Sequence, residues 1–189
     1  QESVKGYYRL ITGVDVVLGQ IRKKLEAAGQ ADNTIIALMG DNGFYLGEHG
    51  MAGKWYGHEE SIRVPLIVYD PRVPKSKRGL RRSEIALNID IAPTLLDLAG
   101  IAPPKDVQGR SLKPLVYGRS PDWRDQFFYE HRFDRPAHKP AIPKSEGVVG
   151  EGYKYLRYYA SEPMFEELYD LEDDPHEINN LAGQKDHKK

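Results

Sequence analysis

Apolar positions in the first third of the chain recur with a helical spacing and then form two short continuous runs. Between Tyr7 and Ala28 they fall at three- and four-residue steps, the spacing of one face of an amphipathic helix, and Gly29 supplies a C-terminal stop. The runs TIIALM at 34–39 and VPLIVYD at 64–70 predict a short buried strand and a second strand. A helix that leads into a wholly apolar strand is typical of an α/β sheet covered by helices.

A second helical pattern occupies residues 88–100, NIDIAPTLLDLAG. Asp90 stands at the N-cap position, Pro93 falls in the first turn, where its missing N–H is tolerated, and Gly100 closes the helix. We therefore expect residues 1–101 to form an α/β core.

The pattern changes from about residue 102. Prolines interrupt long elements and leave strand-like patches, QFFYEH at 126–131 and YKYLRYY at 153–159. The stretch 166–182 predicts the end of a strand, an Asp-Pro turn and a short helical tail. We expect residues 102–189 to be a linker followed by a small C-terminal α+β subdomain, in which an antiparallel sheet with a helix packs beside the main layer.

The composition narrows the classes of partner and chemistry. The 189 residues carry a net charge of −1, so no global field attracts nucleic acid or an anionic membrane. The absence of cysteine excludes disulfides, thiolate metal ligands and a thiol nucleophile from these residues. No apolar run approaches the roughly 20 residues of a membrane span. The chain begins at Gln1, and we expect a processed protein or a fragment.

The stretch GDNGFYLGEHGMAGK at 40–54 follows the predicted buried strand and concentrates the candidate chemistry. Asp41 and Asn42 offer a carboxylate and an amide oxygen, hard donors that suit Ca²⁺ or Mg²⁺. The same spelling also describes an ordinary Asp-Asn-Gly turn. Lys54 fits a site where an ammonium group and a cation share one phosphate or sulfate, although most lysines are simply solvated. His49 is a candidate general acid or a brace for the loop.

Several stretches, in this order, carry a resemblance to one protein family. They are YYRLITGVDVVLGQIRKKLEAAGQADNTIIALMGDNG, LGEHGMAGKWYGHEESIRVPLIVYDP, NIDIAPTLLDLAGI, QGRSLKPLV and ELYDLEDDPHEINNLA, and together they span nearly the whole chain. The chain resembles the C-terminal half of the formylglycine-dependent (type I) sulfatases, in the alkaline phosphatase-like superfamily. This resemblance implies part of a mixed sheet flanked by helices, and a secreted or periplasmic protein.

The resemblance also implies a site. Asp41 and Asn42 match a pair that binds a divalent cation, usually Ca²⁺, together with acidic residues of the N-terminal half. Lys54 matches the lysine that contacts the sulfate ester, and His49 lies in a segment that varies among relatives. His58 stands where many relatives have Tyr and is a possible pocket-edge residue. The formylglycine arises from a C/S-x-P-x-R motif, and these 189 residues contain no such motif.

These matches leave three functions open. The first is a sulfuric ester hydrolase that acts on a sulfated sugar or an aryl sulfate, present here as a fragment that is inactive without its N-terminal half. The second is a phosphodiester or phosphonate hydrolase of the same superfamily. The third is a non-catalytic binding or assembly domain. A truncated sheet also predicts self-association through an exposed edge. The basic segments 74–82 and 129–140 are either a rim for a sulfated glycan or solvated loops.

Overall fold

The computed structural model describes residues 2–133 and 142–184 and has the mixed α/β architecture that the sequence predicts. In chain order the elements are α1 (Glu2–Ala27), β1 (Ile36–Met39), β2 (Tyr45–Leu46), β3 (Ala52–Gly53), α2 (Glu59–Ile62), β4 (Leu66–Tyr69), α3 (Ile91–Leu98), α4 (Lys113–Val116), β5 (Gln126–His131), β6 (Ser145–Gly150), β7 (Tyr153–Tyr158) and β8 (Phe165–Asp170). Short 3₁₀ turns cover Ala31–Asn33, Glu48–Gly50, Lys75–Lys77 and Asn88–Asp90.

The strands of the described residues pair in three antiparallel groups. β1 pairs with β4, with Ile36 opposite Tyr69, and β2 pairs with β3 as a short ladder. β5, β6, β7 and β8 form a four-stranded sheet in chain order, which confirms the small C-terminal sheet. The sequence pattern misses β6, SEGVVG, because glycine is depleted in strands. Gly147 is needed there, since a Cβ at this position would lie 2.1 Å from the carbonyl oxygen of Tyr155.

Helix α1 confirms the helical pattern but leaves its apolar face uncovered. It ends just before Gly29, whose φ of 66° suits a helix stop. No α1 residue is buried, and Leu10 and Val14 remain 73% and 53% exposed. An amphipathic helix normally buries such a stripe, and no part of the described residues covers this one.

The expectation of a buried strand at 34–39 is wrong for the described residues. Strands β1 and β4 alternate between half-buried and exposed positions, and Ile67 on β4 is 57% exposed. The reason is that, within residues 2–133 and 142–184, these two strands pair only with each other. A wholly apolar strand needs a cover on both faces.

The helix predicted at 88–100 forms in two steps, a 3₁₀ turn and then α3, and Asp90 lies at the N-cap of α3. Its fully buried carboxylate accepts the N–H groups of Leu87 and Arg110, both at 2.8 Å. The guanidinium of Arg124 completes the pairing at 2.5 and 2.8 Å. Asp90 therefore ties the start of α3 to the chain that leads into the C-terminal sheet.

The short helical tail expected within 166–182 does not form, and residues 171–184 run in turns after β8. Polar side chains satisfy the backbone there instead. Asp174 accepts the N–H of Asn179 at 2.7 Å, and the Asn180 amide oxygen accepts an N–H of β8 at 3.1 Å. Asp and Asn side chains that bond to nearby N–H groups compete with helix formation.

A buried ion cluster joins α2 to the C-terminal sheet. Lys154 of β7 is fully buried, and its Nζ lies 2.8 Å from Glu59 Oε1 and 2.9 Å from Glu177 Oε1. The other oxygen of Glu177 accepts the N–H of Glu59 at 2.6 Å. One ammonium thus compensates two carboxylates from α2 and from the turns after β8.

The division of the chain into an α/β core at 1–101 and a C-terminal subdomain at 102–189 stays a prediction.

A second buried contact lies beside this cluster. Glu167 of β8 accepts the hydroxyl of Tyr158 at 2.8 Å and lies 3.5 Å from His58 Nε2. Burial alone raises the pKa of Glu167, but the hydrogen bonds from His58 and Tyr158 outweigh burial and lower it. The carboxylate is therefore kept ionised beside His58, the N-cap residue of α2.

We expect Lys154→Met to destabilise the fold by about 3–5 kcal/mol, because it leaves the fully buried carboxylate of Glu177 without its cation. Urea denaturation measures the change. The matched control is Lys105→Met at an exposed loop position, which should change the free energy of unfolding by less than about 0.5 kcal/mol. Equal small changes for both variants would contradict the assignment.

The lowered pKa of Glu167 gives a pH dependence with a definite sign. Its stabilisation is fully present above the ordinary pKa of 4.5 and is lost as the pH falls through the lower pKa of the folded state. The stability difference between the parent protein and Glu167→Gln should therefore be largest at neutral pH and shrink below about pH 4.5. Glu151→Gln, at an exposed position in the turn between β6 and β7, serves as the control in acid denaturation.

Candidate active site

The loop at 40–54 leaves β1 and lies against the α2 segment. The N–H of Gly43 donates to the carbonyl of Ser61 at 2.8 Å, and the N–H of Gly40 donates to that of Pro65 at 3.2 Å. A Cβ on Gly43 would lie 1.9 Å from the carbonyl oxygen of Glu60. Only glycine therefore allows the chain after Asn42 to approach α2 this closely.

The fold brings Lys54 into contact with Asn42, and Asp41 lies beside Asn42 on the same loop. Lys54 Nζ donates to Asn42 Oδ1 at 2.7 Å across 12 residues of chain. The N–H of Asn42 donates to Asp41 Oδ1 at 2.9 Å, and Asn42 Nδ2 donates to the carbonyl of Gly43 at 2.8 Å. These bonds orient the amide so that its oxygen faces the ammonium group. The result is a carboxylate, an amide oxygen and an ammonium group on one loop.

Asp41 and Asn42 offer the type of ligand atom that a hard cation prefers, but they are too few to complete its coordination. Carboxylate and amide oxygens are the ligands that Ca²⁺ and Mg²⁺ prefer, and Ca²⁺ takes about six to eight of them. Among the described residues no three His, Cys, Asp or Glu side chains cluster as a metal site. Asp41 and Asn42 can therefore supply only part of a coordination sphere.

His49 lies in the loop with contacts directed toward the interior. Its Nε2 is 3.3 Å from Glu60 Oε2, and its ring stacks on His58 with centroids 4.2 Å apart. Tyr45 meets the ring edge-on. His49 has a φ of 54°, which few residues other than glycine adopt. These contacts favour the bracing interpretation, and the catalytic interpretation of His49 stays a prediction.

His58 is 4% exposed, so it lies in the interior rather than at the edge of a pocket. Its Nδ1 is 2.8 Å from the hydroxyl of Tyr45. Burial raises the pKa of Tyr45, and the carboxylates of Glu60 and Glu177 raise it further. The phenol therefore stays protonated and neutral beneath the loop.

Trp55, directly after Lys54, is a residue that sequence reasoning missed. Its φ of 101° is an outlier for a bulky side chain. Its N–H donates to Ser61 Oγ at 3.0 Å, and its carbonyl accepts the hydroxyl of Tyr129 at 3.3 Å. Burial raises the pKa of Tyr129 to about 12, so this donor keeps its proton. The indole lies with its centroid 5.1 Å from Lys54 Nζ.

The end of β5 completes the surroundings of Trp55. Phe133 stacks on the indole with centroids 5.6 Å apart and planes 16° apart. His131 packs at the same distance, is 9% exposed, and has a pKa lowered by burial. Its Nε2 has no hydrogen-bond partner among the described residues. No sequence spacing connects Trp55 with Phe133, since 78 residues separate them.

Several basic side chains of the segments 74–82 and 129–140 already have partners within the chain. In 74–82, Lys77 and Arg82 donate to the carbonyls of Tyr117 and Arg119, and Arg78 donates to that of Val73. In 129–140, Arg132 pairs with Glu130. The candidate rim residues Arg135, His138 and Lys139 lie outside the described residues.

In the described part of the chain, no helix is long and apolar enough to cross a membrane.

Comparison with known proteins gives a consistent assignment. Residues 47–189 match the family described as N-sulphoglucosamine sulphohydrolase, C-terminal. The N-acetylglucosamine-6-O-sulfatase of Bacteroides thetaiotaomicron is 38% identical over 193 residues, which cover 100% of this chain and 34% of that protein. The chain therefore spans about a third of the length of the curated relatives it matches.

Solved structures agree. The structure of BT4656 in complex with its substrate D-glucosamine-2-N,6-O-disulfate has a TM-score of 0.84 and 35% identity, over 94% of this chain and 36% of that one. The phosphonate monoester hydrolase of Agrobacterium radiobacter has a TM-score of 0.81 and 31% identity, over 93% and 36% of the two chains. The chain belongs to the sulfatase family of the alkaline phosphatase-like superfamily and corresponds to its C-terminal part.

Proposed function

We propose that these residues form the C-terminal part of a sulfuric ester hydrolase and supply one side of its active site. Asp41 and Asn42 contribute ligands to a divalent cation, and Lys54 binds the sulfate group. The observation that carries this proposal is the 2.7 Å bond between Lys54 Nζ and Asn42 Oδ1, which holds an ammonium group beside the candidate ligands. A structural turn has no need of a lysine that reaches back over 12 residues.

Lys54 stabilises the charge of the ester. The ammonium group has three donors, and one of them is used by Asn42. Among residues 2–133 and 142–184 the other two have no acceptor, so they can meet anionic oxygens, and charge that builds up on the bridging oxygen in the transition state strengthens those bonds. The loop is held in advance by Gly43 against α2, so little reorganisation is needed when substrate binds.

The cation expected here is Ca²⁺, with Mg²⁺ as the alternative. When bound, it supplies Lewis-acid polarisation of the sulfate group. Asp41 provides the negative charge and Asn42 a neutral oxygen, and affinity for Ca²⁺ rises with the number and charge of the ligands. Two ligands alone bind weakly, so the proposal includes further acidic residues from the N-terminal part, where the formylglycine is also expected.

The uncovered surfaces of the chain support an N-terminal partner segment. The stripe on α1 leaves Leu10 and Val14 mainly exposed, and Ile67 of β4 is exposed as well. Burial of such side chains contributes about 25 cal/mol per Å² of apolar surface. We infer that the rest of the same protein covers α1 and extends the β1–β4 pair. Two copies of this chain would then pair through the edge of β1–β4 only when the rest of the protein is absent. In this proposal 1–101 is part of the α/β core and 102–189 the small subdomain.

The proposed substrate is a sulfated sugar. The relative with 38% identity is named for N-acetylglucosamine 6-O-sulfate, and the neighbour with a TM-score of 0.84 is bound to a glucosamine disulfate. Phosphonate ester hydrolysis is the second candidate, because a phosphonate monoester hydrolase is 31% identical. The ratio of kcat/KM for an aryl sulfate to kcat/KM for an aryl phosphonate monoester separates the two.

We expect Asp41→Ala in the full-length protein to remove bound metal and reduce kcat for a sulfate ester by at least about a hundredfold, because the site loses its anionic ligand. Metal content by mass spectrometry and turnover of an aryl sulfate measure both effects. Asp32→Ala, an exposed aspartate in the turn before β1, is the matched control. Near-parental turnover in Asp41→Ala would rule out the ligand assignment.

We also expect the 189-residue chain by itself to hydrolyse no aryl sulfate, even with excess Ca²⁺, because its residues include no C/S-x-P-x-R motif. A heat-treated sample sets the background. Turnover above that background would show that the chain contains its own nucleophile.

A further inference from the structure

The strained backbone of Trp55 is the feature that the proposed function leaves unexplained. A φ of 101° costs a bulky residue on the order of 1–3 kcal/mol and persists only where surrounding contacts enforce it. Two hydrogen bonds enforce it here, one from the N–H to Ser61 and one to the carbonyl from Tyr129. The fold therefore fixes the position of the indole beside Lys54, while the indole stays exposed.

We propose that Trp55 and Phe133 form an aromatic wall that packs against the pyranose ring of the sulfated substrate. The inference rests on the proposed function and adds the surface that recognises the organic part of the ester. The occupant is one sugar ring, the ring that carries the sulfate group held by Lys54.

Distance is the first argument for this occupant. Lys54 Nζ is bonded to Asn42 at 2.7 Å and lies 5.1 Å from the centroid of the indole. An anion bound at this ammonium group is therefore within one ring's width of the wall. The group esterified to that anion can therefore contact the wall.

Exposure is the second argument. Trp55 is 40% and Phe133 53% exposed, although the two rings stack on each other. Tyr45, on the same loop as Lys54, is 1% exposed, so the two rings lie outside the core that the described residues form. Small-molecule sites are lined by aromatic side chains beside a few polar groups that fix orientation. A pyranose ring offers an apolar C–H face to the wall and hydroxyl groups to the solvent side.

His131 gives the wall a neutral backing. It packs 5.6 Å from the indole, is 9% exposed, and its Nε2 has no partner among the described residues. Burial lowers its pKa, so the ring is uncharged at neutral pH. Lys54 is the charged group that contacts the indole, and the charge of Arg132, next to Phe133 in the sequence, is paired with Glu130. A neutral sugar ring bearing one anionic group fits an uncharged aromatic surface beside one ammonium group.

The test uses the full-length protein and four variants, Trp55→Ala, Trp55→Phe, Phe133→Ala and Phe128→Ala. Phe128 is the matched control, because it belongs to β5 and is 58% exposed but lacks a contact with the indole. The substrates are 6-O-sulfated N-acetylglucosamine and an aryl sulfate. Inorganic sulfate, as a competitive inhibitor, probes the anion contacts without a ring.

We expect Trp55→Ala to lower kcat/KM for the sulfated sugar about tenfold and Phe133→Ala to lower it several-fold, from lost ring contact. Trp55→Phe and Phe128→Ala should stay within about threefold of the parent protein. The inhibition constant of inorganic sulfate should be unchanged in all four variants. A parallel rise of that constant in Trp55→Ala would overturn the proposal, because Trp55 would then act only by positioning Lys54.

Two further outcomes would overturn the proposed wall. In the first, neither Trp55→Ala nor Phe133→Ala changes kcat/KM for the sulfated sugar. In the second, these variants lower kcat/KM more for the aryl sulfate than for the sugar. If the parent protein hydrolyses neither substrate, the proposed function fails, and calorimetric binding of the sulfated sugar then tests the wall. A dissociation constant raised about tenfold in Trp55→Ala supports it. Equal dissociation constants for parent and variant reject it.

Discussion

The buried ammonium group of Lys154 is the contact on which the candidate site depends. It joins Glu59, the first residue of α2, to the C-terminal sheet and to Glu177. Ser61 of α2 accepts two hydrogen bonds from the loop. Its carbonyl oxygen accepts the N–H of Gly43, and its hydroxyl oxygen accepts the N–H of Trp55. Through these contacts the position of the loop at 40–54 depends on an ion cluster in a different part of the fold.

The layer beneath the loop differs in charge from the loop itself. Tyr45 is kept protonated by burial, and it bonds to His58, which lies near the ionised Glu167. Above this layer, Asp41 and Lys54 present opposite charges at a more open surface. Donors that a buried layer holds in place stabilise an anion with little reorganisation. His49 belongs to this layer, because its contacts are with Glu60 and His58.

Much of the fold and part of the site could be predicted because they are local. The period of the apolar residues located α1, and the Pro and Gly positions located α3. Asp41 and Asn42 were identifiable by their place after a strand. β6 was missed because its glycines serve a close approach of β7, which no local pattern records. The helical tail failed because Asp174 and Asn180 found backbone partners that compete with a helix.

The sequence by itself determined most of the helices and strands, the family, and the identity of Asp41, Asn42 and Lys54 as candidates, since spacing and motif order are properties of the chain. Only the tertiary structure decided that Lys54 bonds to Asn42, that His58 is buried, and that Trp55 meets Phe133. The physical reason is that these contacts depend on how separate elements pack and on which side chains remain solvated. The exposed stripe of α1 shows the same principle in reverse, because an amphipathic pattern specifies a face to be buried but not the surface that buries it.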